Sequence, residues 1–130
     1  MRPSSHSLAE SLARRLNELM PAGFRLTAER GWLALHINDS LDGTITTPEI
    51  ADDDTRERGE RFRTAVSGVL NSIQDTISEH LRIPWPSHDG RTMAPPNVRV
   101  GTDSIHLWYG ESETAPVLAI PEIPFTEIAK

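Results

Sequence analysis

Two helices packed on one face of a mostly antiparallel sheet, an α+β domain, are what the sequence predicts, and three patterns predict it. Residues 55–82 carry apolar side chains at helical spacing. Residues 24–37 and 98–109 alternate apolar and polar with the period of a strand. These stretches follow one another as α-β-β-(β)-α-β-β, and an extended C-terminal segment closes the order.

The first helix is expected to start at Ser7, which stands at capping-box spacing from Glu10, so that each side chain accepts the other residue's free backbone N–H. Leu8, Leu12, Leu16, Leu19 and Met20 form its apolar stripe, and Pro21 and Gly23 end it. Phe24, Leu26 and Ala28 then face one way and Arg25, Thr27 and Glu29 the other, as in a half-buried strand. Arg30-Gly31 makes a turn. A second strand, Trp32 to Ile37, sets Leu33, Leu35 and Ile37 against Trp32, Ala34 and His36. After residues 38–43, Thr44 to Thr47 reads as a short third strand stopped by Pro48.

Asp52, Asp53 and Asp54 stand where a helix N-terminus favours negative charge. The long helix that follows carries Phe62, Val66, Val69, Leu70, Ile73, Ile77 and Leu81 on one stripe; Gly59 and Gly68 weaken it, and Pro84 and Pro86 stop it. Residues 84–97 form a proline-rich loop. A second hairpin runs from Val98 to Val100, turns at Gly101-Thr102-Asp103, and returns along Ser104 to Tyr109 with His106 and Trp108 on one face. Pro116, Pro121 and Pro124 restrict the last apolar segment, 116–125, to an edge strand or an extended wrap. Helix plus hairpin thus occurs twice, a faint two-fold echo.

One domain spanning 1–130 is expected, with residues 1–6 and 126–130 frayed. The absence of cysteine excludes disulfides, a thiolate zinc site and a cysteine nucleophile. No apolar stretch approaches the ~20 residues that span a bilayer, and no apolar run follows Arg2 as in a secretory signal, so the expected compartment is the cytoplasm. The formal charge of −6 repels phosphate backbones, which argues against nucleic-acid partners. Lys130 is the single lysine beside twelve arginines, a bias that a GC-rich bacterial genome produces through codon usage.

Helix, three-strand meander, long helix and two further strands resemble the element order of type III secretion chaperones. The resemblance implies a small acidic cytosolic protein that dimerises and binds extended segments of clients. That family's third helix falls here where Pro116, Pro121 and Pro124 stand.

Residues 38–49 resemble a twelve-residue calcium loop, with Asn38, Ser40 and Asp42 at its first, third and fifth positions, Gly43 at the sixth, Thr46 at the ninth and Glu49 at the twelfth. Asn38 replaces the usual aspartate, and a strand precedes the loop where a helix belongs. A Leu41-Asp42-Gly43 turn closing a hairpin is the competing reading, so no metal or other cofactor is expected. His36 and His106 share the Trp-bearing faces and invite a joint metal or acid–base role, against the plainer reading of ordinary sheet histidines. Asp75 and Glu79 beside His80 have acid–base spacing but lie opposite the apolar stripe, and His88-Asp89 reads as a solvated turn. No nucleophile or phosphate-binding motif is present, so the chain is not expected to be an enzyme.

The expected function is therefore a non-catalytic protein-binding module of chaperone, adaptor or immunity type, the alternative being a small calcium- or ligand-binding domain. Trp32, Ala34, His36, His106 and Trp108 are the expected surface for a protein partner or a second copy, unless segment 116–125 folds back over them. No nucleic acid and no membrane are expected among the partners.

Overall fold

A computed structural model describes residues 5–46 and 56–128. The side chains of Ser5, Thr46, Arg61 and residues 56–59 lie outside that description. So do the predicted strand stop at Pro48, the acidic run Asp52–Asp54 and Glu49 of the calcium-like loop.

The fold is α+β, in the order α1 (Ser5–Asn17), β1 (Phe24–Glu29), β2 (Trp32–Ile37), β3 (Ser40–Thr46), α2 (Arg56–Leu81), β4 (Pro96–Val100), β5 (Ser104–Tyr109), β6 (Leu118–Pro124) and α3 (Phe125–Ile128). The long helix falls where its stripe puts it. Phe62, Val66, Val69, Leu70, Ile73 and Ile77 are buried, and Leu81 packs against them from the rim. At about 1.5–3 kcal/mol per buried side chain, that stripe drives the docking of α2 far more than intrinsic propensity does.

The strands form two antiparallel sheets rather than one, ordered β1-β2-β3 and β4-β5-β6. Period-two patterning fixes which face of a strand is buried but not which strands become neighbours. Leu33, Leu35 and Ile37 of one sheet and Ile105, Leu107 and Tyr109 of the other all join a single core with both long helices. The two-fold echo is fuller than helix plus hairpin: each long helix is followed by a three-stranded meander. Each also lies against the first strand of its own meander and the last strand of the other, α1 against β1 and β6, α2 against β4 and β3.

Several details differ from the sequence expectation. Helix α1 already includes Ser5, so Ser7 is a helical residue and not its N-cap. The β2–β3 turn is Asn38-Asp39, not Leu41-Asp42-Gly43. Both residues have positive φ, 51° and 69°, the pattern of a two-residue hairpin turn whose twist matches the strands. Asn and Asp tolerate that region because their short side chains bond locally. β3 therefore begins at Ser40, and the register slips between Leu35 and His36, leaving Asp42 as the extra residue of a bulge.

The C-terminal segment is the third strand of the second sheet, beside β5, with Ile120 and Ile123 in the core. It lies edge to edge with β5 rather than across the face of Trp108. Three prolines do not prevent this because β6 is an edge strand. One turn of helix then follows the last of them, at α3, so residues 126–128 are docked rather than frayed, and Ile128 is fully buried.

The docking of α3 is electrostatic as well as apolar. Glu127 accepts from Ser11 Oγ and Arg15 Nη1 and pairs with Arg14 at 2.7 Å. The Arg15 hydrogen bond, aided by Ser11, holds its carboxyl down to about 2 from an ordinary 4.5, against a smaller opposing effect of burial. A carboxylate depressed on folding stabilises the fold above its unfolded value and loses that contribution as pH falls toward the folded one. Acidification from pH 5 to 2 is therefore expected to lower the Tm of the wild type more steeply than that of Glu127→Gln, as read by circular dichroism melts across that range. Parallel curves would refute the role of Glu127.

Candidate binding cleft

Each three-stranded sheet has two outer edges, and an uncovered edge offers its backbone N–H and C=O groups to any passing strand. At β1 the amide of Asn17 on α1 acts as a surrogate strand: Nδ2 donates to the Leu26 carbonyl at 2.9 Å and Oδ1 accepts from the Leu26 N–H at 2.7 Å. At β6, Arg15 on α1 donates through Nε to the Pro121 carbonyl and through Nη2 to that of Glu122, both at 2.9 Å. Pro121 and Pro124 have no N–H to leave unpaired. At β4 the helix α2 packs directly alongside, and Gln74, buried on α2, donates to the Ala94 carbonyl just before the strand.

β3 differs. Among the described residues no hydrogen bond reaches its outer edge, and α2 touches it more sparsely than it does β4. The gap is a cleft of about 460 Å³, with Leu35, Gly43, Thr44 and Ile45 on the sheet side and Ala65, Gly68, Val69, Ser72 and Thr76 on the helix side. A second cleft of about 470 Å³ adjoins it through Asp42 and Thr76 and adds Ile37, Glu79, His80 and Arg82. The equivalent seam, between α1 and β6, is closed by the long side chain of Arg15. Helix α2 presents Val69 and the small side chains of Ala65, Gly68, Ser72 and Thr76 to β3, and among the described residues no hydrogen bond crosses the gap. A Cβ placed on Gly43 or on Gly68 would meet no atom within 4 Å.

No known protein family, curated protein or solved structure matches the chain.

The residues expected to form one partner surface are divided between the two sheets. Trp32, Ala34 and His36 lie on β2, and His106 and Trp108 on β5. Ala34 is buried, the other four are half-buried, and neither tryptophan belongs to the core. His36 Nε2 sits 3.1 Å from Thr27 Oγ1. His106 stands among Ser104, Glu113 and Glu122, with Glu122 at 3.6 Å and Glu113 at 4.0 Å. Glu113 in turn makes a two-pronged pair with Arg99 at 2.8 Å, and that contact draws its carboxyl below the usual range. The indole N–H of Trp108 is buried and has no hydrogen-bond partner among the described residues.

The calcium-like residues that are described do not converge. Ser40, Asp42 and Thr46 are strung along β3, and six strand steps at about 3.3 Å each separate the first from the last, whereas an ion needs its ligands within one coordination sphere. Among the described residues no three His, Asp or Glu side chains come together in a metal-holding group. Asp75 and Glu79 are exposed on α2, Asp75 accepting from Asn71 at 3.2 Å, and His80 packs edge-on against Phe24. Asp89 caps the 87–92 turn: hydrogen bonds from the Thr92 and Arg91 N–H groups, then from Ser87, lower its carboxyl to about 2.

Sequence reading missed the cleft. Its one trace was Gly68, a helix-interior glycine that costs about 1 kcal/mol relative to alanine and has no turn to explain it.

Proposed function

We propose that this chain is a non-catalytic protein-binding module and that its partner docks in the cleft between β3 and α2. The observation that supports this is the unequal treatment of the sheet edges: β1 and β6 are capped by hydrogen bonds from α1, β4 is shielded by α2, and β3 is left open by the described residues beside a cleft. An open edge invites unwanted pairing and is ordinarily blocked, so one left free where its neighbours are closed points to use. The titratable groups at the cleft's polar end, Asp42, Glu79, His80 and Arg82, are all exposed, whereas catalytic groups are typically withdrawn from water. Chaperone, adaptor and inhibitor are the roles that such a module suits.

The test is site-specific crosslinking in cells that express the protein natively. A photoreactive side chain at Thr44, on the edge strand that lines the cleft, should give one discrete protein adduct. The same group at Arg91, in the 87–92 turn, should not. Identical adducts from both positions, or none from Thr44, would refute the reading.

A further inference from the structure

Resting on that reading, we propose that the partner enters the cleft as an extended segment, pairs with β3 as a fourth strand, and seats one bulky apolar side chain between Gly43 and Gly68. Unpaired backbone donors and acceptors in a row are satisfied by another extended backbone and by little else. The cleft has the right dimensions. From Ala65 to His80 the helix wall runs about 22 Å at ~1.5 Å per residue, the length of about seven extended residues.

Its lining separates backbone space from side-chain space. The small side chains of α2 let a strand backbone approach, and Gly43 and Gly68 leave open space where a side chain can enter. Buried Leu35 and Val69 and half-buried Ile45 surround that gap, so the side chain it accepts is apolar. A segment from another protein fits better than β3 of a second copy. The bulge at Asp42 puts Leu41 opposite His36 on the outer face and Ile45 opposite core-facing Leu33. Two copies pairing about Gly43 would set Leu41 against Ile45 and mismatch their faces.

The probes are fluorescein-labelled peptides of about seven residues, alternating Thr and Ser around a central Leu, Phe, Ala or Asp. The Leu or Phe peptide is expected to bind at least about tenfold tighter than the Ala peptide, and the Asp peptide not to bind, by fluorescence anisotropy. N-methylation of the peptide backbone should abolish binding. Gly68→Leu should weaken it by about tenfold or more while keeping the helix, because the substitution removes a helix-breaking glycine and its Cβ meets open space. Gly68→Ala serves as the mild control.

Binding that ignores the central residue or Gly68 would overturn the proposal, as would no binding at all. Slow exchange, in the isolated protein, of whichever of the Thr44 and Ile45 amides points away from β2 would also overturn it, since the cleft would then be filled by the chain itself. A dimer that Gly68→Leu dissociates would overturn it in favour of a second copy. A specific Thr44 crosslink without peptide binding would refute the added strand and leave the binding-module reading standing.

Discussion

Ile73→Asp is expected to abolish folding. Ile73 is fully buried at the middle of the α2 stripe, in the core shared by both sheets. A carboxylate there has no partner and must either stay charged in an apolar medium or take up a proton, a penalty of several kcal/mol (~3–5) against a total stability of about 5–15 kcal/mol. The product should be insoluble or show no cooperative melt by circular dichroism. Ser72→Asp, one residue earlier and exposed, should melt within a few degrees of wild type. Near-wild-type melting of Ile73→Asp would mean that the core is not built around this stripe.

Tyr109→Ala is expected to be nearly as damaging. Tyr109 is fully buried at the end of β5, meets Trp85 edge-on at 5.7 Å, and donates its hydroxyl to the Leu70 carbonyl on α2 at 2.7 Å. It thereby ties the second sheet to the long helix, and burial pushes its phenol well above the ordinary range. Removing the ring should cost about 3–5 kcal/mol and lower Tm by roughly 10–20 °C. Tyr109→Phe removes only the hydroxyl and should cost about 1 kcal/mol. Equal Tm losses in the two variants would assign the effect to the hydrogen bond rather than to packing.

How much of this was legible in the sequence follows from how local each signal is. Helix α2, Arg56–Leu81, was readable to within a residue at either end because a long apolar stripe and two following prolines bound it. The strands β2 and β5 were equally plain, since alternation fixes their faces. The turn after β2 was misplaced because two turn signals, Asn38-Asp39 and Asp42-Gly43, stand four residues apart, and only the pairing with β2 decides between them. The split into two sheets depends on which strands meet across the chain, and alternation carries no such information. α3 escaped notice because a single turn of helix is held by Ile128 in the core and by Glu127 on Arg14 and Arg15, partners more than a hundred residues away. The candidate cleft was the least legible part. It arises from a gap between β3 and α2, and its residues are ordinary Gly, Ala, Ser and Thr in sequence.

The side-chain caps on the sheet edges have a consequence for assembly. Growth of a sheet from molecule to molecule needs two reactive ends per unit, one to receive and one to pass on, as a polymer needs bifunctional monomers. With Asn17 holding β1, Arg15 holding β6 and α2 lying against β4, the described residues leave one open edge, a valence of one. A unit with one open edge can be joined once, and the reaction then stops. Closing the other three edges therefore disfavours filaments built by edge-to-edge addition of the chain to itself.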